Sequence, residues 1–244
     1  MKIINNELSV QSWSLRGLEG NEAVVAALRE MDITAIELSG VHVNYDNCDQ
    51  VIALYQNNGI SISGFGVTGI RNDEASARKE FDLAKRLGLT AFAVDPDPDS
   101  YDLIETLCRE YGMKVGIHNH GKHHRYGFPD QLRAVFSKHS TNIGIWLDAA
   151  WALDAGFDPI DMANECKDRL YGVHLKDFII SADETKEVIV GTGSLDLPGL
   201  LKTLNGMDYR GVISVEYELN EKNPVPDIIE CIHNIRKVAS TISK

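Results

Sequence analysis

The sequence has only four cysteines, and no two of them are close together. They are Cys48, Cys108, Cys166 and Cys231, so none lies within 40 residues of another. Zinc ribbons and redox dithiols need cysteines a few positions apart, so both kinds of site are excluded. Isolated cysteines are typical of a reducing compartment, where they serve as buried thiols. We therefore expect a cytoplasmic protein.

The chain also lacks a long apolar segment. No run of 18 apolar residues is present, so no transmembrane helix is predicted. The first residues, MKIINNELSVQ, contain no apolar stretch of the kind that forms the centre of a signal peptide. A membrane is therefore not expected as a partner.

Cations are fewer than anions. Lys and Arg together number 24 against 36 Asp and Glu, which gives a net charge of −12. An acidic protein repels the phosphate backbone of nucleic acids, and no local basic patch is present, so no nucleic acid is expected as a partner. The remaining composition, 43% apolar and 25% charged residues, is that of an ordinary globular protein and excludes a disordered chain or a coiled coil.

Short β-branched segments alternate with longer amphipathic segments along the whole chain. Eight strands are predicted, at about 8–14, 35–39, 60–67, 91–95, 114–119, 143–148, 171–176 and 212–217. Eight helices are predicted, at about 21–31, 49–58, 73–87, 100–111, 129–138, 159–168, 197–206 and 226–240. The strand–helix pair recurs about every 30 residues, the length of a βα unit. No linker interrupts the repeat, so we expect residues 1–244 to form a single (β/α)8 TIM barrel of eight parallel strands.

Residues at the helix ends support this division. Asp73 can cap the start of the helix at 73–87, and Gly88 can end it. Asp158 followed by proline predicts another helix start. One connection is unusually long, the loop 177–196 between the seventh strand and the seventh helix. Loops of that length in compact domains are usually functional.

Side chains suited to binding or catalysis stand at the carboxyl ends of the predicted strands, where barrel enzymes build their active sites. They are Trp13, Ser14, Glu37, Asp95, Asp97, His118, Asn119, His120, Asp148, His174, Lys176, Asp177, Glu216 and Glu218. The steps between His118, Asp148 and His174 are 30 and 26 residues, each near one βα unit, and Glu216 follows 42 residues later. Imidazoles and carboxylates that converge from separate strands suit a divalent cation. We expect these four residues to hold one such ion.

Each of these signals also has a plainer interpretation. A single His or Asp at a strand end can hydrogen-bond a loop backbone without binding any metal. The Gly-Thr-Gly segment at 191–193 is either a phosphate cradle or a pair of turn glycines. The basic segment 123–125 is either a solvated loop or a set of substrate contacts. Trp146 is expected to pack in the interior, whereas Trp151 can stack on the face of a sugar.

At these residues the chain resembles the xylose-isomerase-like barrel superfamily, the sugar phosphate isomerase/epimerase group that also contains inosose dehydratases and endonuclease-IV-type enzymes. The resemblance covers essentially the whole chain. The matching segments are AIELSG at 35–40, GIHNHG at 116–121, IGIWLDAA at 143–150, RLYGVHLKDF at 169–178, VGTGSLDLPGLL at 190–201 and GVISVEYE at 211–218.

Members of that group hold Mn²⁺, Mg²⁺, Co²⁺ or Zn²⁺ with a Glu, an Asp, a His and a Glu on the fifth to eighth strands. The resemblance carries the last three ligands onto Asp148, His174 and Glu216. It carries the first onto His118, because this chain has HNHG where many relatives have ENHG. A second departure is Trp151, where many relatives have a His that binds metal in the multi-zinc nucleases. That difference, with the acidic charge, argues against a DNA-repair nuclease.

The resemblance implies an enzyme that removes the proton α to a carbonyl of a small sugar or polyol and passes through an enediolate. Reprotonation would make it a metal-dependent sugar isomerase or epimerase, which is the function we expect. Expulsion of a β-substituent would make it a lyase or dehydratase of a keto-sugar, a keto-glycoside or a ketoinositol. A non-catalytic carbohydrate-binding barrel is a third interpretation. The sequence leaves the oligomeric state open.

The histidine at 118 bears on the choice between these reactions. Epimerases of the group use carboxylates on both faces of the substrate, and here only Glu216 remains of that pair, which favours the lyase. His118 and His120 lie on one face of a strand, with Asn119 on the other. We expect His118 to bind the metal and His120 to transfer the proton. Glu216 is expected both to bind the metal and to take part in catalysis.

The remaining residues are assigned by their positions at strand ends. Lys176 is a candidate cation for a developing oxyanion, and Glu37 is a candidate for substrate binding or proton transfer. Alternatively, these two residues only form an ion pair that braces the barrel. Trp13, Trp151 and Asp177 are expected to contact the substrate.

Overall fold

Residues 8–181 and 184–242 are described by the structure, which is a computed structural model. Its strands are β1 (Leu8–Gln11), β2 (Ala35–Leu38), β3 (Ser61–Phe65), β4 (Thr68–Ile70), β5 (Ala91–Pro96), β6 (Lys114–His118), β7 (Ile143–Asp148), β8 (Leu170–Leu175), β9 (Asp177–Ile180), β10 (Thr185–Val188) and β11 (Val212–Val215). Nine of them form one parallel sheet in the order β3-β2-β1-β11-β8-β7-β6-β5-β4. The other two, β9 and β10, form an antiparallel hairpin.

The two end strands of the parallel sheet, β3 and β4, follow one another directly in the chain. The predicted strand 60–67 is divided after Phe65, so that β3 pairs with β2 while β4 pairs with β5. The division needs glycine, because Gly66 has a φ of +137° and a Cβ there would lie 2.4 Å from the carbonyl oxygen of Ala93. Since β3 also contacts β5, the sheet curls round on itself. The fold is an α/β TIM barrel whose sheet has nine strands instead of the expected eight.

All eight predicted helices are present, each within a few residues of its predicted bounds. The α-helices are Gly20–Glu30, Cys48–Asn57, Glu74–Arg86, Tyr101–Tyr111, Pro129–Phe136, Ala149–Asp154, Pro159–Glu165, Leu197–Gly206 and Val225–Ile242. The predicted caps are confirmed. Asp73 accepts a hydrogen bond from the backbone N–H of Ser76 at 2.8 Å, and Asp158 accepts one from Ile160 at 2.8 Å. Gly88 ends its helix with a φ of +80°.

Three segments differ from the sequence prediction. The first strand ends at Gln11, because its side chain accepts a hydrogen bond from the N–H of Trp13 and starts a 3₁₀ turn at Ser12–Leu15. A short helix, Ala149–Asp154, follows β7 directly and was not predicted. The long loop 177–196 contains the β9–β10 hairpin, although residues 182–183 lie outside the described ranges. This hairpin folds next to the carboxyl ends of the strands, which we call the mouth of the barrel.

The hydrophobic core lies between the sheet and its helices. Strand β7 is buried along its whole length, as expected for a parallel strand covered on both faces. All four cysteines are free and buried, which confirms their prediction as core thiols. In the described part of the chain, no helix has both the length and the apolar character needed to cross a membrane.

Candidate functional site

Four side chains from four strand ends meet at the mouth of the barrel. They belong to His118, Asp148, His174 and Glu216, and one potential ligand atom from each lies within 4.8 Å of the others. All four residues are buried. The structure therefore brings together the four residues that the spacing of the sequence predicted, which we call the His₂–Asp–Glu cluster.

The register of the sheet sets this arrangement. Asp148 is the register partner of His174 across β7 and β8, so both side chains stand at the same height. His118 pairs in the same way with Trp146 across β6 and β7. Glu216 follows the last residue of β11 directly, and that strand lies beside β8. The cluster is thus held by the backbone hydrogen bonds of the sheet rather than by flexible loops.

The backbone of Asp148 is held by hydrogen bonds, whereas one of its carboxylate oxygens has no hydrogen-bond partner among the described residues. The side chain of Asn119 accepts from the Asp148 N–H at 2.8 Å and donates to its carbonyl oxygen at 2.9 Å. Oδ1 accepts from the N–H of Trp151 at 2.8 Å and so caps the short helix after β7. Oδ2 is buried with no hydrogen-bond partner among the described residues and lies 3.7 Å from His118 Nε2. Burial raises the pKa of this carboxyl group to about 8.

His174 lies at the centre of the cluster. Its Nδ1 is 3.1 Å from His118 Nε2 and 3.2 Å from Glu216 Oε2. Its Nε2 faces the opposite side and lies 3.0 Å from Glu37 Oε1. Burial alone would lower the pKa of His174, but the carboxylates of Glu37 and Glu216 raise it well above its usual value. Glu37 therefore contacts the outer side of His174.

The cluster fits a divalent cation. Asp148 has a buried carboxylate oxygen without a partner in the described part of the chain, and the ring nitrogens of His118 and His174 are 3.1 Å apart. A cation bound between these atoms would give each of them a partner. Two imidazoles with two carboxylates are the mixed nitrogen and oxygen donors that zinc and other divalent first-row metals accept. Burial lowers the pKa of His118 well below its usual value, which keeps its ring neutral, as a ligand must be.

Lys176 is a buried cation beside the cluster, with 1% of its surface exposed. Its Nζ lies 3.6 Å from Glu216 Oε2 and donates to Glu218 Oε1. Burial would lower the pKa of Lys176, but the surrounding carboxylates, Glu216 first, raise it above its usual value. The alternative of a Glu37–Lys176 brace is not what the structure shows, because these residues pair with His174 and with the two other glutamates.

The ring of His120 lies beside that of His118, although β6 ends at His118 and His120 follows it outside the strand. The two ring centroids are 4.5 Å apart, and the ring of His124 lies 4.2 Å from His120 on the other side. Burial lowers the pKa of His120 to about 4, with His124 acting in the same direction. His124 and Arg125 from the basic segment contact Asp95, so this segment is tied to a carboxylate at the mouth.

Two tryptophans lie on the rim of the mouth. Trp13 is 39% exposed, and its indole N–H donates to Glu218 Oε2 at 3.2 Å. Trp151 packs edge-on against Phe178, with Lys176 Nζ 5.4 Å from the centre of its ring. Trp151 therefore lies beside Lys176, and Trp13 is linked to Lys176 through the carboxylate of Glu218.

Asp177 has a different environment from that of a substrate contact. It is fully buried, and its carboxylate accepts backbone hydrogen bonds from Gly191 and Gly193, both at 2.9 Å, and from Leu195 at 3.0 Å. These are the N–H groups that a phosphate cradle at 191–193 would need. Since the Asp177 carboxylate occupies them, the glycines serve as turn residues and Asp177 holds the loop after the hairpin.

One residue near the site was missed by the sequence reasoning. Glu187 on β10 is partly buried, and its Oε1 accepts from the backbone N–H of Glu218 at 2.8 Å. Burial raises its pKa to about 7, although the charge of Lys176 opposes this. The only signal for it was its place in the long loop 177–196, since no motif marks it.

Comparisons with known proteins agree with this architecture. A family model described as a xylose isomerase-like TIM barrel matches residues 25–237. An inosose dehydratase from Geobacillus kaustophilus (strain HTA426) is 27% identical over 127 residues, which are 46% of this chain and 41% of that protein. The alignment therefore spans less than half of the length of that relative.

Solved structures show the same fold over nearly the whole chain. A D-tagatose 3-epimerase-like protein matches with a TM-score of 0.78 and 17% identity. The match covers 97% of this chain and 98% of that protein. The IolI protein, solved with a bound zinc atom, has a TM-score of 0.72 at 15% identity, with 97% of each chain covered.

Proposed function

Because this chain belongs to the xylose isomerase-like TIM barrel family, we propose that it is a divalent-metal-dependent enzyme that isomerises or epimerises a sugar. The observation that supports it most is the buried His₂–Asp–Glu cluster at the mouth. Relatives and structural neighbours are named as dehydratases and epimerases, which fits chemistry next to a carbonyl.

The metal would be held by His118 Nε2, His174 Nδ1 and the carboxylates of Asp148 and Glu216. When bound, it supplies a positive charge for the carbonyl oxygen and a neighbouring hydroxyl of the substrate as the enediolate forms. The zinc atom in the IolI structure supports a metal in this fold without fixing which ion this chain takes.

His120 is the proposed proton-transfer group. It is partly buried beside His118, and its lowered pKa of about 4 leaves the ring neutral at pH 7, so that it can accept the proton from the carbon next to the carbonyl. Its Nδ1 is buried and has no hydrogen-bond partner among the described residues. Glu216, the second group proposed for catalysis, directly follows β11; burial would raise its pKa, but the charges of Lys176 and His174 outweigh burial and hold the pKa well below the usual value. It would therefore act as an ionised carboxylate on the metal, and the protonated His120 would return the proton it has accepted.

Lys176 is proposed to hold the developing oxyanion. It is a buried cation whose Nζ lies 3.6 Å from the cluster carboxylate of Glu216, and a charge in such a low-dielectric place acts strongly on a nearby anion. Trp13 and Trp151 would contact the sugar through their ring faces. Asp177 supports the site by fixing the loop after the hairpin, and Glu37 supports His174 from outside.

The substrate is proposed to be a sugar or polyol without a phosphate group. The backbone N–H groups of Gly191 and Gly193 are taken by Asp177, as described above. Within residues 8–181 and 184–242, Lys176 is the only cation with an ion pair to the cluster, and its charge is shared with Glu218. Apart from the proposed metal ion, a phosphate would therefore meet carboxylates there rather than unpaired protein cations.

Elimination is the second candidate function. It is favoured by His118, whose ring nitrogen points at His174 within the cluster. No carboxylate is therefore available on β6 for a two-carboxylate epimerisation. A single imidazole at His120 is enough to remove one proton, after which a β-substituent can leave from a keto-sugar, a keto-glycoside or a ketoinositol.

The test is hydrogen exchange in D₂O over a panel of keto-sugars, with matched phosphorylated and unphosphorylated members. Mass spectrometry of the sugar recovered from the metal-loaded enzyme should show deuterium at the carbon next to the carbonyl or loss of a β-substituent. Sugar incubated with His120→Ala or with the metal-free enzyme should show neither change. Deuterium with a changed sugar supports isomerisation or epimerisation, whereas an unsaturated product supports the lyase. A protein that binds metal and sugar but exchanges nothing would be the non-catalytic barrel, and the proposal would be wrong.

A further inference from the structure

His174 presents its two ring nitrogens to opposite sides. Nδ1 faces the cluster and lies 3.1 Å from His118 Nε2. Nε2 faces away from it and has two neighbours at equal distance, Glu37 Oε1 at 3.0 Å and Trp146 Nε1 at 3.0 Å. An ionised carboxylate only accepts hydrogen bonds and an indole N–H only donates them. One nitrogen atom cannot satisfy both neighbours at once.

Each neighbour therefore favours a different tautomer of the neutral ring. With hydrogen on Nε2, the ring donates to Glu37 and leaves a lone pair on Nδ1 for a cation. With hydrogen on Nδ1, the Nε2 atom accepts from the indole of Trp146, and no cation can bind Nδ1. We propose that Glu37 and Trp146 are positioning residues that set the metal affinity of the cluster in opposite directions, Glu37 raising it and Trp146 lowering it.

The carboxylate of Glu37 is held for this task. It is fully buried, and two further donors orient it: Gln11 Nε2 donates to Oε1 at 3.0 Å and the hydroxyl of Ser214 donates to Oε2. A carboxylate on the second nitrogen of a metal-binding histidine fixes the ring and strengthens the ligand. No described residue does this for His118, whose buried Nδ1 has no partner.

The indole of Trp146 is equally fixed in place. It is fully buried, and two glycines make room for it. A Cβ on Gly172 would lie 2.0 Å from the indole Cε2, and one on Gly64 would lie 3.3 Å from Cζ2. The contact with His174 is therefore built into the packing of β3, β7 and β8 rather than adopted by a mobile side chain.

The inference rests on the proposed metal centre and is tested by metal binding alone, without any substrate. Zn²⁺ is titrated into the metal-free full-length protein and its variants by competition with a chromogenic chelator. Glu37→Gln should weaken binding about 10–100-fold. Trp146→Phe, which removes the competing donor, should tighten it several-fold. Glu105→Gln is the matched control: it removes a carboxylate that bonds Ser140 on the outside of the barrel, and it should leave the affinity unchanged.

The outcomes separate the two ideas. If the wild-type protein binds no Zn²⁺, the proposed metal centre is wrong. If it binds Zn²⁺ and Glu37→Gln binds equally well, or a folded Trp146→Phe binds more weakly, only this inference is overturned. Because Trp146→Phe leaves a void, ¹⁵N spectra of the histidines in the Zn²⁺-loaded wild type give an independent reading. His174 should show hydrogen on Nε2 and none on Nδ1, and the reverse would overturn the inference.

Discussion

His118 and His174 approach each other within 3.1 Å, from Nε2 of the first ring to Nδ1 of the second, although β7 lies between their strands. Two imidazole nitrogens at that distance need either one hydrogen or one cation between them. In the metal-free protein the hydrogen belongs to His174, because the pKa of His174 is raised while burial lowers that of His118. A divalent cation must displace it.

The first prediction concerns this exchange of a proton for a metal. Zn²⁺ affinity should fall as the pH is lowered from 8 to 6, because protons compete for the same nitrogen atoms. Calorimetry in buffers of different ionisation enthalpy should show proton release on binding. At a free metal concentration of about 100 times the dissociation constant, unfolding should cost about 2.7 kcal/mol more than without metal. Asp148→Asn should lose most of this gain, and a full gain in that variant would contradict the assignment of Asp148 as a ligand.

The second prediction separates the two neighbouring histidines. His118→Ala should lower the metal content of the purified protein, since its ring nitrogen points into the cluster. His120→Ala should leave the metal in place and lower kcat by about 10²–10⁴-fold, the usual contribution of a general base. Metal analysis and kinetics on the same preparations check both. Full turnover with full metal occupancy in His120→Ala would mean that this ring only packs against His118 and His124.

Much of the fold follows from local patterns, and its exceptions follow from distant contacts. The helix at Glu74–Arg86 is set by its own cap and its apolar spacing, so the sequence predicts it well. The division of the third predicted strand depends on Gly66 meeting Ala93, which is 27 positions away and carries no local signal. The hairpin after Lys176 likewise has a distant contact, since Glu187 accepts a hydrogen bond from the N–H of Glu218, 31 positions away.

The candidate site divides in the same way. Residues that end buried strands, such as His118, Asp148 and His174, could be placed together from the βα period alone. Their outer contacts could not, because Glu37 comes from 137 positions before His174 and meets it only in the closed barrel. The hydrogen bonds of Asp177 likewise form only because the chain at Gly191–Leu195 folds back to its carboxylate. A strand end predicts where a side chain lies, and the folded barrel decides whether it serves the substrate or the backbone.

The third prediction tests the structural role of Asp177. Asp177→Ala leaves the N–H groups of Gly191, Gly193 and Leu195 without their acceptor, so the free energy of unfolding should fall by about 3 kcal/mol or more. Asp196→Ala removes one helix cap at Gly199 and should cost only about 1 kcal/mol. Urea unfolding measures both. If Asp177→Ala keeps its stability and loses substrate affinity instead, the original expectation of a substrate contact is correct.

The fourth prediction concerns Lys176 and the substrate identified by the exchange experiment. Lys176→Met should lower kcat/KM by about 10²-fold or more, because a positioned charge at a developing oxyanion has effects of that size. Lys186→Met on the hairpin removes an exposed lysine and serves as the control. Thermal unfolding of the metal-loaded variants runs in parallel. Unchanged kcat/KM together with a lower melting temperature would show that Lys176 only balances Glu216 and Glu218.

The last prediction concerns Glu187, whose pKa rises on folding to about 7 because the carboxyl group is buried. Lys176 favours its charged form, whereas Glu218 and Glu216 oppose it. A carboxyl group with a raised pKa holds its proton longer in the folded state than in the unfolded state. Its contribution to stability is therefore complete below the ordinary pKa of a glutamate and is lost as the pH rises through 7.

Glu187→Gln should remove this loss, because the amide keeps the carbonyl acceptor for the Glu218 N–H and has no proton to release. In metal-free protein the variant and the wild type should have similar stabilities at pH 4.5. At pH 8 the variant should be more stable by up to about 3 kcal/mol, since each unit of pKa shift corresponds to about 1.4 kcal/mol. Urea unfolding at both pH values checks this, with Glu184→Gln, an exposed carboxylate beside β10, as the control that should parallel the wild type. Equal stabilities of Glu187→Gln and wild type at both pH values would mean that the Glu187 carboxyl is solvated in the folded protein.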